Sequence, residues 1–190
     1  QVVGPASGVV APECALGRQY ARPGDKLVIA GQLGGFVGAY SLLKAGVFPS
    51  DSLSTKELLE YISNPRPQLE AARLMRMSRI VSGACDLSDG LVDALEIFCG
   101  DSVGIKIDSS ALPLHPFAMD ASARLKLNPL NLGFGVGDWA IAYVLPSDQI
   151  STFSHRCGKS THLKIIGEFT EDLKKTLVDA NSNEFAIPAT

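Results

Sequence analysis

The chain has 190 residues, 46% of them apolar, and a formal net charge of -3, enough for one domain with a sizeable core. No lysine–arginine stripe is present, which argues against a nucleic-acid partner. No apolar run reaches the roughly 18 residues that a membrane span needs.

Residues 1–22 read as an irregular linker segment carrying Gly, Pro and Ser. They show neither an initiator methionine nor a basic-then-apolar leader, so a fragment or trimmed chain is expected. Cys14, Cys85, Cys99 and Cys157 form no CxxC pair, and there are only three histidines. Free thiols in a reducing cytoplasm are therefore expected, with no zinc site and no disulfide framework.

"ARPGDKLVIAG" predicts a turn and then a strand over 26–30. A small-residue helix follows over 34–46, with Phe36, Tyr40, Leu43 and Val47 as its core face by helical spacing. Helices are expected over 55–62 and 68–77, separated by "NPRP". Next come a strand over 80–87, a helix over 88–98 ended by Gly100, and a strand over 103–107. His115 reads as a turn residue before a helix over 117–125, and "GFGVG" (133–137) as a flexible glycine turn near a substrate pocket. A strand over 140–145, a helix over 147–157 and a strand over 163–167 precede a terminal hairpin, with Phe185 in the hairpin core. His155, His162 and Glu168 read as surface residues. Alternating strands and helices predict a sheet covered by helices.

"ACDLSDGL" (84–91) stands where a strand ends and a helix begins. Asp86 and Ser88 then point to the same side, and Asp89 sits at the helix start, where free N–H groups favour phosphate. Two neighbouring carboxylates ease their repulsion by sharing a divalent cation, and hard oxygen ligands favour Mg²⁺. The same residue types also serve as ordinary helix caps.

"DLSDGL" resembles the "DISDGL" motif of the thiamine-monophosphate kinases, which belong to the aminoimidazole ribonucleotide synthetase-like ATP-binding superfamily. Further stretches match in the same order. "GRQYARPGDKLVIAGQLG" is similar to "GR-x-x-A-x-PGD-x-x-x-x-SG-x-LG". Arg66-Pro67 matches an arginine–proline pair, and "VGIKIDSSALPLHP" resembles "GV-x-I-x-x-x-x-LPL". "GVGDWAIAYVLP" stands in place of "GGEDYELLFTVP", and "IGEFTED" resembles the late "IG-x-V".

The resemblance covers nearly the whole chain but only the carboxy-terminal half of such a kinase. It implies an α+β fold, a mixed twisted sheet with helices packed on it. Residues 23–190 would form the carboxy-terminal domain, and residues 1–22 would link it to an amino-terminal domain that supplies most metal-binding aspartates and the dimer core. The implied reaction is ATP- and Mg²⁺-dependent phosphoryl transfer to thiamine monophosphate, giving thiamine diphosphate, by a cytoplasmic homodimer. Asp86 and Asp89 would hold Mg²⁺, Ser88 and Arg18 would contact ATP, and Asp138 and Trp139 would lie at the substrate. A guanidinium at Arg18 suits phosphate oxygens, although a solvated surface arginine has the same spacing.

Two departures stand out. Gly137 occupies the place of an acidic residue that reaches the substrate in the family, with Trp139 in place of a tyrosine. The chain also ends "NEFAIPAT", without the family's aromatic "G-[WY]-x-HF" tail. They leave open a superfamily synthetase with another acceptor, or a non-catalytic nucleotide- or partner-binding module. With only Asp86 and Asp89 for a metal cluster, the isolated chain is expected to be inert.

Overall fold

The computed structural model describes residue 5 and residues 7–18, 21–47, 55–158 and 162–188. The strands are β1 (Lys26–Ala30), β2 (Gly83–Asp86), β3 (Gly104–Asp108), β4 (Ile141–Leu145), β5 (Leu163–Thr170), β6 (Lys175–Val178) and β7 (Glu184–Ala186). The helices are α1 (Gly35–Ala45), α2 (Thr55–Ser63), α3 (Leu69–Ser78), α4 (Leu91–Cys99), α5 (Pro116–Leu125), α6 (Pro129–Gly133) and α7 (Ile150–Cys157).

One seven-stranded sheet runs in the order β2-β4-β1-β5-β3-β6-β7. Its pairs are antiparallel except β3–β6, which is parallel, so the sheet is mixed and the fold is α+β. β1 and β4 are almost fully buried because both faces are covered. On one face, Leu91, Leu95 and Phe98 of α4 pack on Leu27, Ile29 and Val144. On the other, Met75 of α3 and Phe153 of α7 pack on Val28, Tyr143 and Leu145. A third cluster joins α1, α2, α5 and α6 through Leu42, Leu58, Phe117, Ala121 and Leu132.

Asp25 of "RPGD" is buried. Its carboxylate accepts from the N–H groups of Arg22 (3.0 Å) and Ser147 (3.1 Å), so this acid ties the turn before β1 to the turn after β4.

Several expectations are corrected. The buried face of α1 is Gly35, Gly38, Ala39 and Leu42, while Tyr40 is 52% exposed and Phe36 only half-buried. The cause is the close approach of α5: a Cβ on Gly38 would lie 2.6 Å from the Phe117 carbonyl. β2 is shorter than 80–87, with Ile80 and Val81 buried outside the strand. α4 starts at Leu91, because Gly90 has φ +94° and the Ser88–Asp89 pair forms a turn before it. Asp89 therefore does not cap the helix. α6, capped by the Asn128 side chain, is an additional element, and β5 runs three residues further than expected. Phe185 is 54% exposed on β7, the last strand of the sheet, and so is not hairpin core. His115 does precede α5, where its Nδ1 accepts from the Phe117 N–H and caps the helix (3.1 Å). Cys85, Cys99 and Cys157 are free and buried, and Cys14 is free and half-buried.

Candidate functional site

The segment after β2 and the loop before β4 are stitched together by backbone. The Leu87 N–H donates to Ala140 O (3.0 Å), and the Gly137 N–H donates to Ser88 O (2.8 Å). Gly90 lies against the Phe134 and Gly135 carbonyls, where a Cβ would stand 3.1 and 3.2 Å away. "DLSDG" and "GFGVGDW" thus form a single loop pair at one end of the sheet.

Asp86 ends β2 with its side chain exposed. The Ser88 hydroxyl donates to Asp86 Oδ2 (2.6 Å), and Arg18 Nη2 lies 3.4 Å from Asp86 Oδ1. The Ser88 hydrogen bond, with help from backbone N–H groups and Arg18, holds the Asp86 carboxyl below its ordinary pKa. Arg18 arrives there because the chain beside it runs along edge strand β2, where Gly17 O accepts from the Ala84 N–H (3.1 Å). Its ion pair with Asp86 is 58% exposed on both sides and contributes little to stability, so both groups remain available to a ligand. Asp89 is exposed in the adjoining turn. Burial pushes the Cys85 thiol up, which leaves it a poor nucleophile at neutral pH.

Asp138 is turned inward. It is 2% exposed and accepts from the N–H groups of Gly34 (2.5 Å) and Phe36 (3.2 Å), across 104 residues of sequence, at the amino end of α1. Burial raises its carboxyl to about 6, against the opposing pull of those N–H groups. Trp139, the next residue, is 38% exposed and borders a cavity. The expected site residues therefore fall into two sets. Arg18 and Ser88 both contact Asp86, with Asp89 in the adjoining turn, while Asp138 supports the loop from beneath.

Because the folded state holds the Asp138 proton more tightly than the unfolded chain, stability should rise as pH falls from about 6 toward 4 and be lost as pH rises through about 6. The full difference corresponds to about 3 kcal/mol. On acidification from pH 6.5 to 4.5, the chain should gain roughly 5–10 °C in Tm relative to its Asp138→Asn variant. Parallel Tm–pH curves for the two proteins would contradict this.

The hard carboxylate oxygens of Asp86 and Asp89 suit Mg²⁺, which typically binds through one or two carboxylates plus substrate phosphates. Among the described residues, no group of three His, Cys, Asp or Glu side chains is placed to hold a metal ion. The donor set fits a metal that shares its shell with phosphate and water.

Residues 22–180 match the family described as AIR synthase related protein, C-terminal domain. The chain is 28% identical over 156 residues to a thiamine-monophosphate kinase of Halobacterium salinarum, covering 80% of this chain and 48% of that protein. It thus spans about half the length of the curated relatives it matches. Its fold is similar to that of a thiamine-monophosphate kinase from Stenotrophomonas maltophilia, with a TM-score of 0.72, 22% identity, and coverage of 88% of this chain and 54% of the other. It is similar also to AaThiL in complex with AMPPCP and TMP, with a TM-score of 0.67, 22% identity, and coverage of 90% and 52%. No helix among the described residues is long and apolar enough to cross a membrane.

Proposed function

This chain belongs to the AIR synthase related protein C-terminal domain family, and we propose that it serves a longer protein as the carboxy-terminal domain of a thiamine-monophosphate kinase-like phosphotransferase. The observation that carries this reading is the Asp86–Ser88–Arg18 cluster, in which an ionised carboxylate, a hydroxyl and a guanidinium meet at an exposed sheet end. Residues 1–22 join it to an amino-terminal domain that supplies further metal ligands, and residues 23–190 form the carboxy-terminal domain. The full-length protein acts as a cytoplasmic homodimer, and the isolated chain is inert.

In the proposed reaction, an oxygen of the thiamine monophosphate phosphate attacks the γ-phosphorus of ATP. The bond to the β,γ-bridging oxygen breaks, and thiamine diphosphate and ADP result. Arg18 neutralises phosphate charge through its forked N–H groups. Ser88 orients Asp86 and offers its hydroxyl to the nucleotide. Asp86, with Asp89, would hold Mg²⁺, which when bound offsets the repulsion between two anionic reactants. Asp138 positions the loop that carries Trp139 toward the substrate.

A second acceptor is favoured by one observation. At Gly137, where the family's acidic residue would stand, the Phe36 ring fills the space a side chain would need. The test is to incubate the full-length protein with ATP, Mg²⁺ and thiamine monophosphate. Thiamine diphosphate is the expected product. ATP binding without it would turn the assignment to another acceptor, and no ATP binding would overturn the phosphotransferase reading.

A further inference from the structure

The helices α3 and α7 cover the sheet face opposite α4, and the outer side of this layer differs in charge from the rest of the chain. The net charge is -3, yet no Asp or Glu lies between Glu70 and Asp86, or between Asp148 and Glu168. Arg73, Arg76, Arg79 and Arg156 fall in these two windows, and all four are exposed. They form no continuous stripe in the sequence, because the fold brings them together. Arg156 of α7 donates from Nη1 to the Ser78 carbonyl (3.5 Å) at the end of α3, across 78 positions.

α3 has two distinct sides. Ala71 and Met75 turn to the core, whereas Leu69, Arg73, Arg76 and Met77 follow the i, i+4, i+7, i+8 spacing of the opposite side. Leu69 is 71% and Met77 64% exposed, so two apolar side chains flank two guanidinium groups. Among the described residues, Arg73 and Arg76 have no ion pair or hydrogen bond. Glu70 is the one acid of α3 and sits in its first turn, where it suits the helix dipole. Arginine and methionine are the residues enriched where proteins dock on proteins, and lysine is depleted there. A phosphodiester chain would meet the arginines but leave Leu69 and Met77 in water. Neither helix presents an exposed Phe, Tyr or Trp on which a base could stack. An acidic amphipathic helix satisfies both halves of the surface, with carboxylates on the arginines and an apolar stripe on Leu69 and Met77.

We propose that the outward side of α3, with Arg156 at its end, docks an acidic amphipathic helix of a partner protein. It uses no residue of the Asp86–Ser88–Arg18 cluster, so its test is separate from that of the phosphotransferase reading. The probe is a fluorescein-labelled helical peptide of Glu, Leu and Ala, about five turns long, with its leucines along one stripe and glutamates beside them. Titrated with the full-length protein at about 50 mM salt, its anisotropy should saturate with a Kd of about 10–100 μM. Joint Arg73→Glu and Arg76→Glu changes should weaken binding at least about 10-fold, and Met77→Gln about 3- to 10-fold. The melting curve should not move, since all three side chains are exposed. Poly-glutamate and single-stranded RNA of similar length, which carry charge without the apolar stripe, should bind about 10-fold more weakly than the peptide. RNA or phosphatidylserine vesicles bound as tightly as the peptide would overturn the assignment. So would self-association abolished by the arginine changes, which would seat a second copy on this face. Binding by the 190-residue chain but not by the full-length protein would overturn it too, because the face would then be covered within the longer protein. No saturation at millimolar protein, or affinity untouched by the substitutions, would have the same consequence.

Discussion

Asp86→Asn should lower phosphoryl transfer by the full-length protein at least about 100-fold while leaving its Tm unchanged. The two halves of that expectation have separate causes. The carboxylate is exposed, and its pair with Arg18 spans 3.4 Å with both side chains 58% exposed, so its loss costs about 0–1 kcal/mol of stability. The amide keeps the shape and still accepts from Ser88, but it loses the negative charge that a divalent cation and an ordered phosphate require. Steady-state turnover with ATP and Mg²⁺, beside a thermal melt, reads both quantities. Undiminished turnover would remove Asp86 from the metal–phosphate role. A large fall in Tm would mean that the carboxylate supports the fold instead.

Asp86 and Ser88 were legible in the sequence for a local reason, whereas Arg18 was legible only through the family resemblance, because its contact with Asp86 spans 68 positions. The Asp86–Ser88 contact comes from a two-residue step at a strand end, while Arg18 arrives because Gly17 beside it bonds the same edge strand. Asp138 was legible as a residue of interest, but its setting was not. Its partners, the N–H groups of Gly34 and Phe36, are more than a hundred positions away, and no local pattern announces a carboxylate that caps a distant helix. Arg66 and Trp139 were each singled out, but their meeting with Lys164 around one cavity was not legible, because the three come from the α2–α3 connection, the loop before β4 and the start of β5. The seven strands and most helices were readable because turn residues and apolar runs bound them. The buried face of α1 was misread because periodicity rewards large apolar residues, whereas close helix–helix packing selected Gly38 and Ala39.

The support beneath the site and the site itself share one loop, and this makes residue 137 decisive. Its N–H holds the Ser88 carbonyl, and its φ of +90° lies in the left-handed region. A Cβ there would stand 2.5 Å from Phe36 Cδ1. Restoring the family's acidic residue with Gly137→Glu should therefore destabilise the chain by about 2–4 kcal/mol, through backbone strain and overpacking together. For a chain of this size, that is a fall in Tm of roughly 5–15 °C. The two causes separate in a cycle with Phe36→Ala. Removing the ring relieves the clash but not the strained φ, so the double variant should be more stable than the sum of the single changes by at least about 1 kcal/mol. Additive changes would show that the ring does not govern position 137. The cycle also bears on acceptor choice. If thiamine diphosphate formation by the full-length protein rises in the double variant above that of Phe36→Ala alone, the Phe36–Gly137 contact sets which acceptor the loop admits. If it stays level, recognition at this loop does not depend on a carboxylate at 137.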